Sequence, residues 1–464
     1  MRQAMRLSEV IAATGAKPVN IHAPETVAVA GVCIDSRVVE AGDLFVALRG
    51  NRTDGHHYLQ EVFDRGAVAA LVEYVPLGAE EMPLLRTPNT VHALGQLARR
   101  YRRQFNATVI GITGSTGKTT TKEMIAAALE AGYPNAVQKS AGNLNTELGV
   151  PLSLFELDAD CQYMVQEMAM RGRTQIAYLA EIAEPRVGVI TQIGWSHIEQ
   201  LGSREAIAEA KSELVHSLPR DGIAILPRDD KFYEFLRARC ACETIYTFGR
   251  HPEAHARLTE VQLGEDNTTG VVELSLPDVQ ARVWLELPYL GEHLLMNATA
   301  ALLTAVVLGV APDAAARALH HTHLPEMRMA VQRQPEGWTL INDAYNANPD
   351  SMRAALHVLV HQIPARRRIA VLGDMKELGA YSMRLHWSLG RWLATQPLDY
   401  VVLVGSEVLW TAAAAREGGF PPSRLLHFET PQQARAWLLR TVQKGDCVLL
   451  KGSRALGLEQ AVMP

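Results

Sequence analysis

The stretch Thr108-Val-Ile-Gly-Ile-Thr-Gly-Ser-Thr-Gly-Lys-Thr-Thr-Thr-Lys-Glu-Met124 restricts this chain more than any other. Thr108, Val109 and Ile110 read as the end of a buried strand, the glycines at 111, 114 and 117 as a tight loop, and Lys118 onward as a helix. Glycines let backbone N–H groups approach phosphate oxygens, and the helix N-terminus adds partial positive charge. Lys118 then reaches the β- and γ-phosphates, and the Thr119 hydroxyl is placed to ligate Mg²⁺. The general phosphate-loop pattern has glycine where this chain has Ile112. The alternative is a glycine-rich turn with an incidental lysine, which the coincidence of strand, Gly-Lys-Thr and helix disfavours. A parallel α/β sheet is the expected host.

A chain of 464 residues is expected to form three domains, at 1–107, 108–325 and 326–464. The net charge of −5 supplies no basic field for nucleic acid or an anionic membrane, so substrate charge must be met locally. Cysteines at 33, 161, 240, 242 and 447 lack the paired spacing of a zinc site and suit a reduced, cytoplasmic protein. Glu9 interrupts any signal-peptide core, and the apolar run 298–312 is too short to cross a bilayer, so neither a targeting nor a transmembrane segment is expected.

Residues 1–107 read as a small mixed α/β domain, with helices at 7–14 and 58–65 and strands at 29–34, 44–47 and 69–74. Its polar loops, 35–37 and 50–56, read equally as surface turns and as binding loops. A helix at 91–104 leads into a central parallel-sheet domain with strands at 163–168, 187–192 and 222–226. Glu167 and His197 fall at carboxyl ends of these strands, where the crevice of an open α/β sheet forms.

Lys211 stands on the apolar stripe of a helix predicted at 203–218, four residues after Ile207 and four before Val215. Either its stem packs there and the ammonium reaches water, or burial lowers its pKa. In the second case the neutral amine adds carbon dioxide to give a carbamate, an oxygen ligand for a hard cation. Antiparallel hairpins are expected over 254–287 about a turn at 266–270, then a helix at 291–308. The third domain is predicted to be a doubly wound, Rossmann-like parallel sheet, with strands at 338–342, 369–372, 401–404 and 447–450 and helices at 351–361, 381–395 and 431–441. Three polar clusters, 343–349, 373–379 and 451–454, follow its strands and should face one cleft.

These residues resemble one family over essentially the whole chain, the Mur ligases, ATP-dependent amide-forming enzymes of bacterial peptidoglycan synthesis. The marks are the segment Gly111–Thr120 with its own glycine spacing, Asn143-Leu-Asn-Thr-Glu-Leu-Gly-Val-Pro151, Glu167, His197, Lys211, Asn297 and Arg328. Within the family, Asp343-Ala-Tyr-Asn-Ala-Asn-Pro349 and Gly373-Asp-Met-Lys-Glu-Leu-Gly379 look like the branch that joins D-alanyl-D-alanine to UDP-N-acetylmuramoyl tripeptide. The alternatives are the diaminopimelate- or lysine-adding branch, folylpolyglutamate synthetase, and a non-catalytic nucleotide-binding relative.

The resemblance implies an ATP-dependent ligase, expected to be monomeric, that passes through an acyl phosphate. Gly114, Ser115, Thr116, Gly117, Lys118, Thr119 and Thr120 would hold the phosphates. Thr119 and Glu167 would hold one Mg²⁺, and His197 with carbamylated Lys211 a second. Lys118, Lys211, His197 and Glu167 are the expected catalytic set. Asn297, Arg328, Asp343 and Tyr345 would hold the nucleotide. Ser36 and Arg37 would bind the UDP-muramoyl part, Asn143, Asn145 and Thr146 the peptide, and Asn346, Lys451 and Arg454 the dipeptide side. With ATP groups on two domains, closure should assemble the site and exclude water.

Overall fold

The computed structural model describes residues 1–50 and 53–462. Three large sheets follow one another along the chain. The first has five strands in the order Lys17–Val19, Leu84–Arg86, Ala69–Val72, Asp43–Val46, Gly31–Cys33. All its pairings are parallel except the one at Lys17–Val19. The single strand expected at 29–34 is two: Ala28–Val29 pairs with Met5–Arg6, and Gly31–Cys33 joins the five-stranded sheet. The chain changes partner at Ala30, whose N–H is taken by the Gly42 carbonyl at 2.8 Å.

The central sheet has nine strands. Thr108–Thr113 lies between Tyr163–Glu167 and Val187–Ile190, parallel to both. Register sets Glu167 opposite Ile112 and Ile190 opposite Thr113, so three strand ends converge on the loop after Thr113. Both faces are covered, and the strands accordingly read as unbroken apolar runs: Val187–Ile190 is buried throughout. Gly111 lies within a strand rather than in the loop expected for it. A Cβ there would stand 2.9 Å from Leu214, so the glycine lets the helix Arg204–His216 pack directly on the strand. The far edge is a meander, Ala256–Leu263, Thr268–Ser275 and Gln280–Leu287. Its first turn lies at 264–267, earlier than predicted, with Gly270 inside a strand where a Cβ would meet Leu295 of the helix Glu292–Val307.

The third sheet runs Ala330–Arg333, Thr339–Asn342, Asp446–Lys451, Arg367–Gly373, Tyr400–Val404, Leu425–Phe428. It is parallel except for its first strand, which the sequence reading did not anticipate: Val331, Gln332 and Arg333 are exposed, so no apolar alternation marks them. Among the described residues all five cysteines are free, and no helix is long and apolar enough to cross a membrane.

Candidate active site

The loop after Thr113 turns through two glycines that only glycine serves well. Gly114 has φ +155°, and a Cβ on it would collide with the Thr191 hydroxyl. Gly117, φ +79°, precedes the helix Lys118–Glu130, and a Cβ on it would lie 2.6 Å from Asn297 Oδ1. Asn297, carried by Glu292–Val307, is thereby held against the phosphate loop.

Lys118 Nζ and Lys211 Nζ both donate to the Gly114 carbonyl, each at 2.9 Å. Lys211 is buried, as the stripe on its helix requires, and burial, reinforced by the charge of Lys118, holds its pKa well below the ordinary lysine value. Burial also lowers that of Lys118. Thr119 donates its hydroxyl proton to Glu167 Oε2 at 2.7 Å, while Asn145 Nδ2 donates to Glu167 Oε1 at 2.7 Å. The Glu167 N–H is taken by the Ser140 hydroxyl at 3.2 Å. Lys118, Thr119, Asn145, Glu167, Lys211 and Asn297 are therefore one cluster.

His197 joins it from the loop after Val187–Ile190, with φ +61°. Burial lowers its pKa against the opposing pull of Glu377, whose Oε2 lies 2.6 Å from His197 Nδ1. From the start of the third sheet, Arg328 Nη2 donates to the Thr119 hydroxyl at 2.9 Å, and its guanidinium lies 4.1 Å from the centre of the Tyr345 ring.

Other expected residues are held by neighbours within the fold. Lys451 is buried, and its ammonium lies on Asp343 Oδ2 at 2.5 Å and the Asn346 carbonyl at 3.0 Å. A lysine at a strand end reads the same from sequence whether it faces a ligand or a neighbouring carboxylate. Arg454 pairs with Glu459 at 2.7 Å. Asp343 also takes the Met329 N–H at 3.1 Å, which fixes the chain next to Arg328. Ser36 and Arg37 form a short turn beside the five-stranded sheet, where the Arg37 guanidinium and its N–H hold the Asp35 carboxyl down to about 2. Asn143 and Thr146 are exposed beside Asn145. In the loop 50–56, Asn51 and Arg52 lie outside the described residues, while Asp54 accepts from the His56 N–H at 3.0 Å.

Three residues of the site, Glu377, Asp350 and Lys122, lie outside the set expected from sequence. Glu377 and Asp350 lie in loops or helix starts of the third sheet and touch the central one. Ser115, expected in the phosphate loop, receives the Gly194 N–H at 2.8 Å. Lys122, buried on Lys118–Glu130, donates to the Ser140 and Gly142 carbonyls at 2.7 and 3.3 Å, tying that helix to the segment bearing Asn143 and Asn145. Its place four residues after Lys118 was the available signal.

No group of three or more His, Cys, Asp or Glu converges to hold a metal among the described residues. The donors at hand are one carboxylate, one hydroxyl and one imidazole. A hydroxyl and a carboxylate beside a phosphate cradle fit Mg²⁺, which keeps water and takes phosphate oxygens to complete six positions. A cleft of about 650 Å³ at the other end of the sheet is unlike this site: the Arg99 guanidinium there is paired with Glu181 and Glu184, and that of Arg102 with backbone carbonyls.

Three family profiles match the chain: "Mur ligase family, catalytic domain" over residues 28–102, "Mur ligase middle domain" over 112–305, and "Mur ligase, glutamate ligase domain" over 327–454. The chain is 34% identical to the UDP-N-acetylmuramoyl-tripeptide--D-alanyl-D-alanine ligase of Bacillus subtilis, covering 99% of this chain and 97% of that one. Among solved structures it is similar to a MurF crystal structure from Acinetobacter baumannii, with TM-score 0.89, 35% identity and coverage of 99% and 98%. It is similar also to the MurF ligase of Thermotoga maritima in complex with ADP, with TM-score 0.82, 30% identity and coverage of 94% and 96%.

Proposed function

The chain belongs to the Mur ligase family, and from that premise we propose that it joins D-alanyl-D-alanine to UDP-N-acetylmuramoyl tripeptide at the expense of ATP. The observation that carries this reading is the convergence of Lys118, Lys211, Thr119 and Glu167 on the phosphate loop, in a chain that matches ligases of that name over nearly its full length. A carboxylate does not condense with an amine in neutral water, because oxide is a poor leaving group. Phosphorylation of the tripeptide's terminal carboxylate by ATP replaces it with phosphate. The dipeptide amine then attacks the acyl phosphate carbon, and phosphate departs from the tetrahedral intermediate.

Each residue has a part in this scheme. The backbone of residues 114–119 and Lys118 hold the β- and γ-phosphates. Thr119 and Glu167 are the donors for one Mg²⁺, His197 and a carbamate on Lys211 for a second; bound there, the ions neutralise charge gathered on the phosphates. The depressed pKa of Lys211 supports the carbamate, because only the neutral amine adds carbon dioxide. Asn297 and Arg328 meet the nucleotide, with Tyr345 fixing the guanidinium plane. Residues 1–107 take the UDP-muramoyl part, with Ser36 and Arg37 in the contact. Residues 108–325 carry the phosphate chemistry, with Asn143, Asn145 and Thr146 toward the peptide. Residues 326–464 take the dipeptide. ATP as reactant and a nucleotide-linked substrate suit a cytoplasmic enzyme.

Phosphate release from ATP with UDP-N-acetylmuramoyl tripeptide, with and without D-alanyl-D-alanine, tests the proposal. The expected result is dipeptide-dependent release and a product heavier by one D-alanyl-D-alanine residue. Turnover only with the muramoyl dipeptide and a diamino acid would overturn it.

A further inference from the structure

The segment 374–381 is anchored at both ends to different sheets. At its base, Lys376 Nζ lies 2.8 Å from both Asp374 and Glu407, and its N–H donates to the Ser453 hydroxyl at 2.8 Å. Asp374 in turn takes the N–H groups of Ser406 and Val408 at 3.3 and 2.9 Å. The base is thus fastened to the third sheet. Its tip leaves that sheet: the Glu377 carbonyl accepts the Glu199 N–H at 3.1 Å, a Cβ on Gly379 would stand 2.9 Å from Glu199, and the Tyr381 hydroxyl donates to the Gly202 carbonyl at 2.8 Å. The Tyr381 ring is tilted against Trp195, with centroids 6.0 Å apart.

At the centre of this contact lie two residues with left-handed backbones, Glu377 at φ +62° and His197 at φ +61°. Neither is glycine, so each conformation costs about 1 kcal/mol and persists only where surroundings impose it. Their side chains meet at 2.6 Å, Oε2 to Nδ1. The contact is a close approach of carboxylate and imidazole, with Nδ1 making no hydrogen bond of good geometry. On its other side, the loop of His197 sits on the phosphate loop, with the Gly194 N–H on the Ser115 hydroxyl at 2.8 Å and the Ser196 hydroxyl on the Ser115 carbonyl at 2.7 Å.

We propose that Glu377 is a positioning residue that, when the C-terminal sheet docks, fixes His197 as the Nδ1–H tautomer and leaves Nε2 free to face the phosphate site. Docking and readiness of that nitrogen are then one event. A carboxylate behind a metal-binding imidazole sets its tautomer and basicity, and loss of such a partner weakens the metal about 10–100-fold. The proposal rests on the reading of His197 as a magnesium donor given above.

Two measurements on the full chain test it. The first is long-range ¹H–¹⁵N correlation on protein labelled in histidine, without metal or nucleotide, with the His197 signal identified by its loss in His197→Asn. Wild type is expected to show the proton on Nδ1 and Glu377→Ala the Nε2–H form that free imidazole favours, with Glu377→Gln in between because its amide oxygen still accepts. The second is the Mg²⁺ dependence of phosphate release. Glu377→Gln is expected to raise the half-saturating Mg²⁺ about tenfold, with kcat at saturating Mg²⁺ within about twofold of wild type, and Glu377→Asp to recover part of the loss. Tyr381→Phe, which removes one hydrogen bond of the same docking contact while keeping both Glu377 and His197, should shift the tautomer in the same direction as Glu377→Ala but by less. An unchanged tautomer in Glu377→Ala, or unchanged Mg²⁺ dependence in Glu377→Gln, overturns the proposal. Absence of turnover by wild type would instead sink the ligase reading, leaving the tautomer measurement to decide this one.

Discussion

Arg328 and Thr119, 209 residues apart in the chain, meet with Nη2 at 2.9 Å from the hydroxyl. Because that hydroxyl also donates to Glu167, the guanidinium is wired to the phosphate site through one oxygen. Arg328→Lys should lower kcat/KM for ATP about 10–100-fold: an ammonium keeps the charge but loses the planar stack on Tyr345 and the second donor. Steady-state kinetics with ATP varied will check this, and kinetics equal to wild type would refute it.

Lys211→Ala should reduce turnover by about a hundredfold or more while leaving the fold intact, because alanine fits the apolar surroundings of that helix face. If the amine carries carbon dioxide, protein equilibrated with ¹³C-bicarbonate will show one carbamate carbon signal absent from the variant. Activity should fall on degassing and return with bicarbonate.

Lys122 reaches the phosphate cluster only through the loop it supports. Lys122→Met keeps the volume of the stem and leaves the Ser140 and Gly142 carbonyls without their donor, at a cost of about 1–3 kcal/mol. Thermal unfolding should register that loss. KM for the tripeptide should rise more than KM for ATP, because Asn143 and Asn145 lie on the loop that Lys122 braces.

Burial holds the His293 pKa down to about 4 in the folded chain, against about 6.5 when unfolded. The unfolded state takes the proton more readily, so the contribution to stability is complete above pH 6.5 and lost as pH falls from 6.5 to 4. Allowing for a side chain that is only partly covered, the loss is about 1–2 kcal/mol. The melting temperature of His293→Asn should therefore fall less steeply over that interval than that of wild type.

The phosphate loop, Glu167 and Lys211 were legible because local rules act on them: glycine spacing, a carboxylate at a strand end, a lysine on an apolar stripe. Lys451 shows where such rules stop. Its position after a strand is that of a ligand contact, yet its charge is consumed by Asp343, and only the packing of Thr339–Asn342 beside Asp446–Lys451 reveals this. Glu377 was hidden for the same reason, since its partner lies 180 residues earlier on another sheet. The edge strand Ala330–Arg333 escaped because an exposed strand carries no burial pattern, and Gly111 because a glycine that admits a helix looks in sequence like one that makes a turn.

Two lysine side chains share the single carbonyl oxygen of Gly114. A carbonyl dipole is a poor counterweight for two amines, and burial suppresses the proton affinity of both. Bound polyphosphate would add negative charge beside both amines and favour their protonated forms. Nucleotide should behave as a missing part of the fold, raising the melting temperature in proportion to the logarithm of its concentration, with inorganic triphosphate reproducing much of the effect without any base to recognise.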